Sequence, residues 1–219
     1  MSNDFSEKYI LFFVLIVFLG VAAYNLAQGC PQLVQDNQVL HWDTVLKAYD
    51  TYVDYPSLDN AKALLAVLPA DRLDKESGNA GDALEHIFSL NSYPVLLEEA
   101  LSGERVVIEI FFRLLNISDG LYAENVLSEL GWVARNHPLL FLEILLAYKD
   151  TRNMRNMLGY PVDFVGAGHN MHPKAAIYIL GKRIEALETV KDPKYEKIKE
   201  ACIRQLRFAI KQVSEIGQP

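Results

Sequence analysis

No charged residue falls between positions 9 and 35, and the densest part of that window, 10–23, reads ILFFVLIVFLGVAA. About 20 residues of helix rise ~30 Å, the thickness of a bilayer's hydrocarbon core. Residues 9–28 meet that length. A run this long and aliphatic is rarely a buried helix of a water-soluble domain. The chain is therefore expected to enter a membrane or be anchored to one, with the remainder folding as the body that hangs from the anchor.

Two readings of the segment compete. As a retained transmembrane helix, it carries Tyr9 and Tyr24 near its two interfaces. As a secretory signal, its apolar core ends at the small residues Ala22 and Ala23, with processing just beyond. Ala27-Gln28-Gly29-Cys30 resembles a bacterial lipobox, where small residues precede a cysteine that is lipidated after cleavage. Gly29 and Cys30 match; Ala27 stands where Leu is usual, and Gln28 where a small residue is usual. That resemblance implies lipidation at Cys30. Lys8 is the only basic residue before the apolar run, and Asp4 and Glu7 precede it. Lys8 favours a cytoplasmic N-terminus, so the body is expected outside the cytoplasm, on the periplasmic face in a bacterium.

Without residues 1–30, about 189 of the 219 residues remain, enough for one domain with its own core. Residues 31–40 read as a polar tether and 41–219 as a single all-α domain. Charge divides unevenly. Residues 31–150 hold 19 acidic and 8 basic side chains, a net of −11; residues 151–219 hold 12 basic and 7 acidic, a net of +5. The two halves can pair with each other, or each can meet a partner. A pI near 5.3, with basic residues interleaved among acidic ones, argues against nucleic acid as a partner. Two cysteines give no disulfide framework, so the core must hold the fold.

Apolar spacing predicts helices over 41–53, 58–68, 83–90, 95–101, 104–115, 121–134, 139–148, 173–190 and 194–216. Ser57 reads as an N-cap, Pro94 and Pro138 as helix openers, and Ser102-Gly103 as a stop. Residues 71–82 read as a loop, 151–157 as a polar helical turn and 158–172 as a long loop, with 162–165 as one isolated extended piece. The 139–148 helix is apolar almost all round and is expected to be the most buried. Cys202 falls on the stripe Tyr195, Ile198, Cys202, Leu206, Ala209, Val213, Ile216 and reads as a packed thiol.

Residues 90–98 and 134–143 both place Asn and then Pro between amphipathic helices, and Pro94 and Pro138 lie 44 positions apart. In that pattern the middle of the chain resembles HEAT- or armadillo-type helical hairpins. The resemblance implies a short α-solenoid-like scaffold that binds a partner; a plain helical bundle is the alternative.

The densest polar cluster is Asp163, His169, Asn170 and His172. Two imidazoles and a carboxylate supply three zinc ligands with one position open, which makes Asp163, His169 and His172 the candidate metal site. Gly166-Ala167-Gly168 lacks the strand-turn-helix frame of a phosphate loop, and no motif calls for a cofactor. His86 reads as a helix-face residue, His137 as a turn residue and Glu98-Glu99 as a solvated pair; His41, beside Trp42, is expected near the membrane end of the body. Asn116-Ile117-Ser118 fits a glycosylation acceptor. The basic side chains of 194–216 read as a solvated face with pairs such as Glu200–Arg204. The expectation is a non-enzymatic, membrane-tethered helical protein that binds another protein. A metal-dependent enzyme or metal-binding protein centred on 158–172 and a structural envelope protein are the alternatives.

Overall fold

Trp42, Val45, Tyr49 and Tyr52 lie on one side of a helix and all four are buried, so α1 (Trp42–Asp54) forms by laying that stripe on the interior. The computed structural model describes residues 40–70, 76–151, 159–165 and 172–216. The anchor with Cys30, nearly all of the tether and of the 151–157 turn, and His169 with Asn170 lie outside the described residues. Leu40, the last residue of the expected tether, is buried. With His41 it forms β1 (Leu40–His41), which pairs in parallel with β2 (Glu76–Ser77). This two-residue bridge is the strand pairing among the described residues. The 162–165 stretch, expected to be extended, lies instead in a turn and the irregular chain after it.

The remaining helices are α2 (Leu58–Val67), α3 (Ala80–Ile87), α4 (Tyr93–Ser102), α5 (Arg105–Ile117), α6 (Gly120–Asn136), α7 (Pro138–Tyr148), α8 (Pro173–Glu188) and α9 (Glu196–Ile216), the last preceded by a 3₁₀ turn, Pro193–Tyr195. Ser57 caps α2 by accepting from the Asn60 backbone N–H at 3.2 Å. Gly103, at φ 97°, ends α4 in the left-handed conformation that a side chain would resist. α3 begins three residues earlier than the apolar spacing indicates. Asn79 is its cap, accepting from the Gly81 and Asp82 N–H groups at 3.1 and 3.3 Å, so the first turn is built from loop-like residues.

The most buried helix is α5, not α7. Val107, Ile108, Ile110, Phe111, Phe112, Leu114, Leu115 and Asn116 are all buried, while α7 leaves Leu139 exposed. α5 packs against α2, α4, α6 and α7. The Phe112 ring lies 6.0 Å from Phe141 and 5.6 Å from Tyr148. Farther along, α6 packs on α8, and α8 on α9. Pro94 and Pro138 do open helices, but α4 rests on α5 and α6 whereas α7 rests on α5, α6, α8 and α9. The 44-residue echo therefore relates helices in different packing positions. All described residues belong to one unit, Val34–Pro219, and no helix among them is long and apolar enough to cross a membrane.

The position of α5 sets an expectation for stability. Phe112→Ala should lower the unfolding free energy by about 3–5 kcal/mol through lost transfer energy and a cavity. Phe208→Ala, at an exposed position of α9, should change it by less than about 0.5 kcal/mol. Urea unfolding followed by circular dichroism measures both; comparable losses would contradict the placement of α5 at the centre.

Candidate functional site

The segment leading into the glycine-containing loop is fixed by two side chains from helices that follow it. Gln205 of α9 accepts from the Tyr160 N–H at 2.7 Å and donates to the Tyr160 carbonyl at 2.8 Å. Arg183 of α8, only 1% exposed, donates to the carbonyls of Val162 and Phe164 at 2.7 and 2.6 Å. Room for the guanidinium exists because α6 presents Gly131 there; a methyl group at that position would collide with the Arg183 terminus. Burial lowers the Arg183 pKa to about 10, against the opposing pull of Asp163 and Glu129. Burial raises that of Glu129, and the Arg183 charge opposes it.

Of the candidate metal ligands, Asp163 is half-buried in the turn between these two Arg183 acceptors, and its charge acts on that guanidinium. His172 is exposed at the N-cap of α8, and His169 lies outside the described residues. Among the described residues, no group of three His, Cys, Asp or Glu side chains is placed to hold a metal ion.

Other singled-out residues acquire definite places. The Asn116 amide is 4% exposed and donates to the Ala70 carbonyl at 2.9 Å. The nitrogen a glycan would occupy is buried and engaged, so the folded body excludes the glycosylation reading. Arg113, one turn earlier, donates to the carbonyls of Leu65 and Leu68 at 2.9 and 2.7 Å, and to the Tyr148 hydroxyl at 3.0 Å. His86 pairs with Asp50 at 2.6 Å, joining α3 to α1. His137 stands at the N-cap position of α7 and lies against Gly103, its ring nitrogen 2.8 Å from the Leu101 carbonyl. Cys202 is buried as expected, and burial pushes its thiol pKa up to about 12. An α9 thiol in that state is a poor nucleophile.

An open groove lies elsewhere, between the α1–α2 corner and the α4–α5 corner. It encloses about 280 Å³ and is lined by Tyr52, Leu58, Ala61, Val107, Glu99 and Glu104 among others. Tyr52, Ala61 and Val107 are buried and form an apolar floor. Glu99 and Glu104 supply an acidic rim, and both act on the Tyr52 hydroxyl, whose pKa rises to about 12 chiefly through burial. Neither rim carboxylate forms an ion pair among the described residues. Tyr55 and Leu58 stand exposed at the corner between α1 and α2. An apolar floor with unpaired carboxylates above it suits a side chain that is apolar along its stem and cationic at its tip, or an apolar anchor flanked by Lys or Arg.

Comparison with known protein families, curated proteins and solved structures finds no match.

Two outcomes follow from these environments. Gly131→Ala should lower stability by about 3 kcal/mol, because it forces Arg183 off its two carbonyls. The loss should shrink in an Arg183→Met background, where the collision is gone; equal losses in both backgrounds would separate Gly131 from Arg183. Alkaline titration gives the second. Cys202, Tyr49 and Tyr52 are held near 12, from ordinary values of 9.0, 10.0 and 10.0, each chiefly by burial. The unfolded chain sheds these protons first and binds fewer between pH about 9 and 12, so stability falls as pH rises through that window and is level below it. Urea midpoints from pH 7 to 11 should show this decline, less steep in Tyr49→Phe.

Proposed function

We propose that this chain is a non-enzymatic helical module, held at a membrane by its N-terminal segment, that binds another protein through the groove between the α1–α2 and α4–α5 corners. The observation that carries this reading is the pairing of an apolar floor with unpaired Glu99 and Glu104 beside exposed Tyr55 and Leu58. The partner is a segment with an apolar anchor flanked by basic residues. The tether follows from the uncharged window over 9–35 and from Cys30.

A photo-crosslinking amino acid at position 58 of the full chain, in its native membranes, tests the groove. It should trap a protein adduct that weakens with salt and disappears in Glu99→Lys/Glu104→Lys. No adduct, or one indifferent to both reversals, would end this reading. Mass spectrometry of the mature N-terminus tests the tether separately: lipid on Cys30 or an intact Met1 supports it, whereas a processed chain without lipid overturns it. The metal reading predicts stoichiometric zinc that is lost in His169→Ala, so elemental analysis of the purified protein divides the two functions.

A further inference from the structure

We infer that the outer face of α6 and α8 is a contact surface for an anionic lipid bilayer. This goes beyond the protein-binding groove and rests on different residues. Leu121, Asn125, Ser128, Trp132 and Asn136 recur at three and four along α6, forming an uncharged stripe flanked by Glu124 and Arg135 on one side and Glu129 on the other. Leu121 is 69% exposed and Trp132 39%; on the neighbouring α8, Tyr178 is 61% exposed. The two helices pack directly, since Arg183 of α8 reaches Gly131, the residue next to Trp132.

Each exposed aromatic carries a cation over its ring. The Arg135 guanidinium lies 5.2 Å from the Trp132 ring centre, and the Lys182 ammonium 5.7 Å from that of Tyr178. Lys174 is exposed in the first turn of α8. Glu185 is the carboxylate on this face of α8 and pairs with Lys182 at 2.6 Å. Indole and phenol rings settle where hydrocarbon meets headgroups, with one end dry and the other wet. Lys and Arg beside them lay their stems along the apolar layer and reach anionic phosphates.

Charge selects the occupant and the orientation. Residues 31–150 are strongly acidic overall, so an anionic surface repels most of the body and favours approach by this face. On α9, by contrast, no cation lies over the ring of the exposed Phe208 among the described residues, and three basic side chains sit near carboxylates. Arg204, Arg207 and Lys211 each lie beside a carboxylate, Glu200, Glu188 and Glu215, at 3.9, 3.3 and 3.8 Å.

The two tryptophans make the test direct, because Trp42 is buried and Trp132 is not. The full chain is reconstituted into phosphatidylcholine vesicles with or without phosphatidylglycerol, with brominated acyl chains as quencher. Emission should be quenched in the anionic vesicles only, and Trp132→Phe should abolish the quenching. Arg135→Gln and Lys182→Gln should each shift the docked-to-free ratio about fivefold toward free. Glu99→Lys/Glu104→Lys should leave quenching intact, so failure of the groove and failure of this face are read separately. Absence of quenching in anionic vesicles, equal quenching in neutral ones, or quenching that survives Trp132→Phe would each overturn the assignment; the first would leave an acidic protein as the occupant.

Discussion

A thirteen-residue helix with eight buried side chains cannot sit at the edge of a protein, and α5 accordingly dictates where its neighbours lie. Its apolar residues occupy too much of its circumference for one packing partner. α2, α4, α6 and α7 all pack against it, each contributing a stripe that would be costly to leave in water. Phe111 meets Tyr93 of α4 and Phe112 meets Phe141 of α7, so aromatic contacts leave α5 in two directions. The groove between the α1–α2 and α4–α5 corners is one consequence: α2 and α4 both rest on α5, and Val106 and Val107 at its start line the space near them.

A second rule governs the places where helices stop. The last carbonyls of a helix lack partners within it, and buried ones must find them elsewhere. Here they are met by side chains reaching across from other helices. Arg113 serves Leu65 and Leu68 at the end of α2, and Asn116 serves Ala70 just beyond. Tyr49 donates to the Ile87 carbonyl at 2.7 Å, and Lys199 to that of Val190 at 2.9 Å. Arg183 and Gln205 do the same for the irregular 160–164 stretch. Two of these donors are arginines, and one of them, Arg183, leaves water to do so and keeps a buried Nε without a partner. Their value lies in fixing non-helical chain whose own backbone cannot satisfy itself.

These rules explain which features the sequence disclosed. Helix ends governed by a proline, a serine cap or a left-handed glycine were readable, because each residue acts locally: Ser57, Pro94, Gly103 and Pro138 all fall at helix boundaries. Asn79 was hidden because its cap lies inside a run that also reads as loop. The burial of α7 was overstated because apolarity all round gives no direction, so nothing marked Leu139 as the outward residue. Arg183 carries a sequence signal of its own: it continues the spacing of Ala176, Leu180 and Leu187, and a cation on an apolar stripe must find acceptors inside the fold. The groove had none, since its lining residues come from four helices and meet only through tertiary packing.

The uneven charge of the two halves acquires a meaning from the ion pairs. The described pairs are short-range or confined to one half: Asp50–His86, Arg105–Glu109, Arg105–Glu143 and Lys149–Asp150 before residue 151, and Lys182–Glu185, Glu196–Lys199, Glu200–Arg204, Glu188–Arg207 and Lys211–Glu215 after it. None joins the acidic half to the basic one. The basic residues of α9 are paired largely within that helix and with Glu188 of α8, whereas Glu99 and Glu104 border an open groove without an ion-pair partner among the described residues. Exposed pairs of this kind are worth only about 0–1 kcal/mol, so fold stability does not explain the imbalance. An acidic surplus left uncompensated beside an apolar floor is a surface suited to a cation from another molecule. The unpaired rim and the cation-bearing aromatic face on α6 and α8 are thus two chemically distinct surfaces, the first suited to a cation and the second, on the inference drawn above, to an anionic bilayer.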